Sequence, residues 1–279
     1  MVYLCLILLC SLCVANENGF VQSEGVQIHY IANGERGKNP ALLFIPGGMI
    51  PGWIWEKQLE YFAKDHYVVA MDPRSQGESG QTSEGQFADM RAKDIKAVVD
   101  KLQLTPVVLI GWSLAVSEVV AYLKQFGSEG VEGIVLIDGF AGLDVDSPIF
   151  KMMVDHWTDF QRDRVKNGEK FVRGLFKQPQ TEAYYEKLLK STLVTPTTTA
   201  MTLVFNFILT DYRPTLPAIN VPTLVVTIDA PWLPAMKDIQ KAIPDARLEI
   251  IDNASHALFV DQPDQFNQTL ERFLQSLKS

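Results

Sequence analysis

The amino-acid sequence predicts an α/β protein built on a mostly parallel, doubly wound β-sheet. After residue 20, short apolar runs alternate with longer segments of helical period. Most of these runs are continuously apolar, as strands buried on both faces require. Such alternation is typical of parallel strands joined by right-handed helical crossovers. A third observation is a stretch without strand signals between residues 142 and 218, which predicts helices inserted into the sheet topology.

The predicted strands begin near residue 25 and recur along both halves of the chain. In order, they are the runs GVQIHYI, ALLFIPG, YVVAMD, VVLIGWS, GIVLIDG, TLVVTID and RLEIID. Two sets of apolar residues between and after them fall at helical spacing: Phe87, Met90, Ile95, Val98, Val99 and Leu102, and then Phe266, Leu270, Phe273 and Leu277. The sequence therefore predicts a helix between the third and fourth strands and another at the end of the chain.

The same patterns divide the chain into a core in two parts and a helical cap. Residues 16–141 form the first part of the core, and residues 219–279 form the second. Residues 142–218 form the cap, which contains the helical runs PIFKMMVDHWTDFQRDRV and TEAYYEKLLKSTL. Pro214 and Pro217 close the cap before the next strand, because proline interrupts a helix.

The first 15 residues, MVYLCLILLCSLCVA, are apolar, carry no charged side chain and end in small residues. This pattern predicts a signal peptide cut after Ala15 and a secreted or periplasmic protein. The apolar run is shorter than the roughly 20 residues that span a bilayer as a helix, so no membrane span is expected in the mature chain. Cys5, Cys10 and Cys13 all lie in this segment. A mature chain without them would have no disulfide, thiol nucleophile or thiolate metal site.

Composition narrows the kind of partner that the protein binds. The 279 residues carry a formal net charge of -8 with a pI near 5.1, and lysine and arginine form no cluster. These features argue against binding to nucleic acid, and they favour a small-molecule partner. No spacing of histidine, aspartate and glutamate indicates a metal site, and no cofactor is expected.

A sharp strand-to-helix turn is predicted around the segment LIGWSLA. Its strand ends at Gly111, Ser113 lies at the apex, and a helix begins at Leu114. This is the geometry of a nucleophile elbow, in which a strained turn presents the serine hydroxyl above the sheet. Such turns usually carry a second glycine two residues after the serine, where this chain has Ala115. Because alanine adds only one methyl group, we expect the turn to accommodate it.

With this turn, the sequence resembles the α/β-hydrolase superfamily and its serine esterases. Three further segments carry the resemblance. LLFIPGGMIPGW is similar to the His-Gly-x oxyanion loop, with Pro46 in place of the histidine. MDPRSQGESG is similar to the Asp-x-Arg-Gly-x-Gly-x-Ser segment, with Ser75 in place of a glycine. NASHALFVDQPDQF is similar to the histidine loop. The resemblance covers nearly all of the chain after residue 20, and it implies an α/β-hydrolase fold with a helical cap.

The resemblance also implies a catalytic triad. Ser113 would be the nucleophile and His256 the general base, in the order serine, acid, histidine along the chain. The backbone N–H groups of Gly48 and Leu114 would form the oxyanion hole. The three other histidines fit the role of the base badly: His29 lies within a strand, His66 before a strand, and His156 in the cap.

The acid has two candidates. In the superfamily, the acid usually lies a few residues after the strand that corresponds to TLVV. In this chain, that position is Ala230 or Pro231, and Asp229 comes before it. Some members place the acid at the end of the strand before the cap, where GIVLIDGF carries Asp138. The sequence favours Asp138 and leaves Asp229 as the alternative.

Apolar side chains in segments that converge on Ser113 predict a pocket for an apolar substrate. They are Met49, Trp53, Trp112, Phe140, Trp157, Phe205 and Trp232. We therefore expect a carboxylesterase that cleaves small to medium apolar esters through an acyl-enzyme on Ser113. Lactonase, perhydrolase and C–C hydrolase activities remain alternatives, as does a non-catalytic ligand-binding protein with this fold. A serine rather than an aspartate at the elbow argues against epoxide hydrolase and dehalogenase chemistry.

Overall fold

The computed structural model describes residues 17–278, and within them eight strands form one sheet. The strands are β1 (Glu17–Ser23), β2 (Val26–Asn33), β3 (Ala41–Ile45), β4 (Val68–Met71), β5 (Val107–Trp112), β6 (Val131–Ile137), β7 (Thr223–Thr227) and β8 (Arg247–Ile250). Their order in the sheet is β1-β2-β4-β3-β5-β6-β7-β8. β1 and β2 are antiparallel to their neighbours, and the other pairs are parallel. The mostly parallel sheet is confirmed, whereas the predicted signal peptide, residues 1–15, lies outside the described residues.

Helices connect the strands and cover the sheet. They are α1 (Glu56–Phe62), α2 (Ala88–Lys101), α3 (Ala115–Phe126), α4 (Pro148–Arg162), α5 (Arg164–Gly174), α6 (Glu182–Leu193), α7 (Thr197–Leu209), α8 (Leu233–Ala242), α9 (Leu258–Asp261) and α10 (Pro263–Ser276). Two 3-10 helices span Gly52–Trp55 and Arg213–Ala218. The predicted helices before the fourth predicted strand and at the end of the chain correspond to α2 and α10.

The continuous apolar runs have a direct explanation in the two faces of the sheet. Along β3, Leu43 packs into a core with α2, α3 and α8, whereas its neighbours Leu42 and Phe44 pack into a second core with α1 and α10. Successive side chains of a strand point to opposite faces, so a strand covered on both sides is apolar at every position. All five residues of β3 are buried.

The sequence patterns did not predict β1. Only Val21 and Ser23 of its seven residues are buried, so the strand has no apolar run. It pairs with β2 at the edge of the sheet, and Glu17 accepts hydrogen bonds from the hydroxyls of Tyr30 and Tyr67 at 2.8 and 3.0 Å. Side-chain hydrogen bonds to Glu17, rather than the burial of an apolar run, therefore add to the backbone pairing at this edge.

Helices α4 to α7 lie between β6 and β7, in the segment predicted as the cap. A third apolar cluster joins the cap to the core, where Trp157 and Phe160 of α4 pack with Met49. Hydrogen bonds add to this contact: the Thr195 hydroxyl donates to the Ser75 carbonyl at 2.7 Å, and Asn206 Nδ2 donates to the Gln86 carbonyl at 2.9 Å.

Among the described residues, no single helix has the length and hydropathy of a membrane span. α6 and α7 together have the length and hydropathy of such a span, but the two helices are bent by 85° relative to each other.

Candidate active site

The turn around Ser113 has the strained backbone that a nucleophile elbow requires. Ser113 has a φ of +60°, between the end of β5 at Trp112 and the start of α3 at Ala115. Its backbone N–H donates to the Ile137 carbonyl at 2.8 Å, which ties the turn to β6. Left-handed φ values are uncommon for residues other than glycine, and they gather at functional sites.

The two positions flanking the turn differ in how much space they have. A Cβ at position 111 would lie 2.6 Å from the Ala115 carbonyl oxygen, so only glycine fits there. The methyl group of Ala115 is fully buried within the core that α2 and α3 form. The close approach at the elbow is therefore between Gly111 and the backbone of residue 115, and an alanine at 115 fills apolar space.

His256 lies in the loop between β8 and α9, and its ring is paired with Asp138. The Nδ1 atom of His256 is 2.7 Å from Oδ2 of Asp138, across 118 positions of sequence. The second carboxylate oxygen, Oδ1, accepts hydrogen bonds from the Thr227 hydroxyl at 2.6 Å and from Trp232 Nε1 at 2.8 Å. With Nδ1 donating to the carboxylate, the Nε2 atom of a neutral imidazole is left free to accept a proton.

The environments of the two candidate acids differ. The Asp138 side chain is fully buried, whereas 26% of the His256 side chain is exposed. Asp229, two residues after the end of β7, is exposed and does not line the cavity that contains Ser113 and His256. In β7, the side chain that reaches Asp138 is that of Thr227. The geometry thus pairs His256 with Asp138.

The loop that the sequence predicts as the oxyanion loop packs directly over the elbow. A Cβ at position 47 would lie 2.9 Å from the Cβ of Ser113, and a Cβ at position 48 would lie 2.8 Å from Leu114 Cδ2. Two successive glycines therefore allow this backbone to approach the serine closely. Gly48 and Leu114 line the same cavity as Ser113.

A cavity of about 300 Å³ lies between the elbow and the cap. Its core side is lined by Gly48, Ser113, Leu114, Asp138, Gly139, Phe140, Trp232 and His256. Its cap side is lined by Met152, Met153, His156, Trp157, Lys170, Phe171, Gly174, Leu175 and Phe207. The wall is mostly apolar, as is usual for pockets that bind small molecules.

Of the predicted pocket residues, Phe140, Trp157 and Trp232 line the cavity, and the others lie elsewhere. Trp112 is buried beneath the histidine loop, and its Nε1 donates to the His256 carbonyl at 2.9 Å. Trp53 donates through Nε1 to the Ser191 hydroxyl of α6 at 3.3 Å. Both tryptophan rings pack in or against the second core and do not line the cavity. Their prediction as pocket residues is therefore corrected.

Met49 and Phe205 also lie outside the cavity. Met49 is fully buried in the cluster that joins the cap to the core, and Phe205 packs against the same cluster. Met49 has a φ of +64°, and its side chain packs in that cluster. Both residues therefore hold the cap against the oxyanion loop.

Two titratable cap residues in the wall were absent from the predicted pocket. His156 is exposed on its solvent side, but desolvation by the cap side chains around its ring lowers its pKa, and Asp159 opposes this effect only in part. Lys170 reaches the cavity from an exposed position on α5. No group of three or more histidine, cysteine, aspartate or glutamate residues between residues 17 and 278 could hold a metal ion.

Comparison with known proteins agrees with this architecture. Residues 42–269 match the sequence model of the alpha/beta hydrolase family, and the chain belongs to that family. A protein of Synechocystis sp. that carries the name of a non-heme chloroperoxidase is 30% identical over 288 residues, covering 94% of this chain and 98% of that protein.

Solved structures show the same fold. A bromoperoxidase from Bacillus anthracis superposes with a TM-score of 0.85 at 23% identity, covering 93% of this chain and all of that one. An esterase from Exiguobacterium antarcticum has a TM-score of 0.85 at 21% identity, with the same coverage of both chains. At these identities the likeness extends to the fold alone.

Proposed function

We propose that this protein is a serine hydrolase, namely a carboxylesterase that cleaves small to medium apolar esters through an acyl-enzyme on Ser113. One observation carries the proposal. The pair of His256 and Asp138 lines the same cavity as a serine held at a φ of +60°. A serine hydroxyl is a weak nucleophile unless an adjacent base takes its proton, and an oriented histidine supplies that base.

The reaction would proceed in two halves. The Ser113 hydroxyl attacks the ester carbonyl while His256 Nε2 takes its proton, and Asp138 stabilises the resulting imidazolium. The N–H groups of Gly48 and Leu114 donate to the oxyanion of the tetrahedral intermediate. His256 then protonates the departing alkoxide. In the second half, water activated by His256 attacks the acyl group and releases the carboxylic acid and the free serine.

The cavity wall supports an apolar acyl or aryl group on the substrate. The rings of Phe140, Trp157, Phe171 and Phe207 and two methionines surround a space of about 300 Å³. Asp138 is the one carboxylate in this wall, and its two oxygens accept three hydrogen bonds. A neutral ester with an apolar acyl group has few polar groups, so its transfer from water into this mostly apolar cavity carries a small desolvation cost.

The name of one relative favours a second candidate, perhydrolase activity at the same site. This relative is the Synechocystis protein named for a chloroperoxidase, which is 30% identical to this chain. In this reaction, hydrogen peroxide replaces water in the second half. Its oxygen attacks the acyl group, the serine leaves with a proton from His256, and the product is a peroxycarboxylic acid.

Covalent labelling separates these functions from a non-catalytic role. We expect the purified protein to react with a fluorophosphonate probe and to hydrolyse p-nitrophenyl butyrate faster than the octadecanoate ester. Peroxyacid formation with hydrogen peroxide and a carboxylic acid would identify the second candidate. A folded protein that neither reacts with the probe nor turns over any ester of the series would contradict the proposed function.

Replacing Trp232 tests the hydrogen bonds that hold the acid. Trp232→Phe removes the indole N–H that donates to Asp138 Oδ1 and keeps an aromatic ring at the cavity wall. A hydrogen bond to a charged group contributes about 1.5–3 kcal/mol. Since Thr227 still donates to the same oxygen, we expect kcat to fall by about tenfold.

The control for this variant is Trp53→Phe, which removes an indole N–H that donates to Ser191, outside the cavity. Its kcat should stay within about twofold of the wild type, a difference of less than ~0.5 kcal/mol. Steady-state kinetics with p-nitrophenyl butyrate measure both variants. Equal losses in the two would show that the bond to Asp138 has no special part in catalysis.

A further inference from the structure

Gln76 lies behind the oxyanion loop, at a position that the Asp-x-Arg-Gly-x-Gly-x-Ser pattern leaves variable. Its side chain is fully buried. The Nε2 atom donates to the Gly47 carbonyl at 3.0 Å and to the Ile50 carbonyl at 2.8 Å. Both N–H bonds of the amide are therefore used on the two ends of the turn that carries Gly48.

The other end of the amide is equally constrained. Gln76 Oε1 accepts a hydrogen bond from Arg91 Nη1 at 2.9 Å. A guanidinium only donates hydrogen bonds and a backbone carbonyl only accepts them, so this amide has one possible orientation. A glutamate, a methionine or a lysine at this position would lose at least one of the three bonds.

Arg91 in turn connects the loop to the helix that follows the nucleophile. Its Nη1 atom lies 3.2 Å from Oε1 of Glu118 on α3, and its Nη2 donates to the Arg74 carbonyl at 3.0 Å. Arg91 and Glu118 are both buried. A continuous chain of buried contacts thus runs from α3 through Arg91 and Gln76 to the turn above Ser113.

We propose that Gln76 is a positioning residue that fixes the turn of residues 47–50, and with it the Gly48 N–H, relative to Ser113. The role rests on the proposed hydrolase function, because that N–H matters only where an oxyanion forms. Oxyanion-hole donors act through their fixed placement, and a displacement of about 1 Å can lower a rate by about 100-fold. The turn itself has one internal bond, from the Ile50 N–H to the Gly47 carbonyl at 3.2 Å. Gln76 bridges the same two residues from the side of the core.

The chain offers a matched control in Gln86. This glutamine is also buried, and its Oε1 accepts from the other terminal nitrogen of Arg91, at 3.1 Å. Its Nε2, however, donates to Ser75 and to the Thr82 carbonyl, away from the oxyanion loop. Gln76→Glu and Gln86→Glu therefore make the same chemical change beside the same guanidinium.

The test compares the two variants in kinetics and in amide exchange. We expect kcat of Gln76→Glu for p-nitrophenyl butyrate to fall by about 10- to 100-fold, the range for a displaced oxyanion donor. KM should change by less than about threefold, because the oxyanion forms only in the transition state. Hydrogen–deuterium exchange in a peptide spanning residues 45–55 should be faster than in the wild type. Gln86→Glu should change kcat by less than about threefold and leave that peptide's exchange unchanged.

The outcomes separate this inference from the proposed function. Faster exchange in Gln76→Glu, in a protein whose wild type is inactive on esters, would support the positioning role and contradict the hydrolase function. An active wild type with equal kcat in both variants would overturn the positioning role. Gln76→Met, which is uncharged and donates no hydrogen bond, replaces Gln76→Glu if the latter does not fold. Failure of both Gln76 variants to fold, beside a folded Gln86→Glu, would make Gln76 a folding residue and overturn the proposal.

Discussion

Ser113→Ala is expected to lower kcat for p-nitrophenyl butyrate by about a millionfold, the loss typical of removing the serine from a serine, histidine and aspartate triad. The variant has no oxygen to form the acyl-enzyme, and His256 has no hydroxyl to deprotonate. The fold should survive, because alanine keeps the Cβ that packs beneath Gly47 and experiences the same backbone strain as serine. Labelling by the fluorophosphonate probe should disappear together with the activity.

A second serine supplies the control. Ser191→Ala removes a hydroxyl on α6 that donates to the Lys187 carbonyl, outside the cavity. Its kcat and its labelling should equal those of the wild type. If Ser113→Ala, folded by circular dichroism, still hydrolysed the ester at the wild-type rate, another group would be the nucleophile.

The sheet was predictable because its central strands are buried on both faces. β3 and β5 are apolar throughout, so each stood out as an uninterrupted run. β1 was missed because it pairs at the edge with only two buried residues. The apolar pattern reports burial, and burial is incomplete at an edge strand.

The parts of the site that lie close together in sequence were predictable for a different reason. Ser113 and Leu114 adjoin within one turn, and Gly111 marks the sharp backbone at that point. The partner of His256 was harder to predict, since 118 positions separate it from Asp138. Both candidate aspartates follow the carboxyl ends of neighbouring parallel strands, where sites in open α/β sheets gather. The sequence favoured Asp138 but left Asp229 open, and the contact between His256 and Asp138 appears only in three dimensions.

The cavity wall and the hydrogen bonds behind the site were the least predictable. Trp53 and Trp157 are both tryptophans near the site, yet only Trp157 lines the cavity. Which face of a cap helix turns inward depends on how the cap packs on the core. Thr227 and Gln76 gave no signal either, because hydrogen bonds between distant segments leave no periodicity in the sequence.

The hydrogen bonds around Asp138 predict what an amide would do in its place. In Asp138→Asn, the Thr227 hydroxyl and the Trp232 indole N–H both still need an acceptor at δ1, so the amide oxygen should occupy that position. The NH₂ group then faces His256 Nδ1 and donates to it. The imidazole would carry its proton on Nε2, the wrong tautomer for taking a proton from Ser113.

We therefore expect Asp138→Asn to lower kcat by about 10⁴, as the same change does in a related triad. Asparagine tolerates the left-handed backbone at this position, where φ is +43°, so the variant should fold. Asp229→Asn makes the same chemical change at an exposed residue outside the cavity, and its kcat should stay within about threefold of the wild type. Steady-state kinetics of the two folded variants decide between the acids. A large loss in Asp229→Asn beside a small one in Asp138→Asn would reverse the assignment, because only the true partner of His256 controls its tautomer.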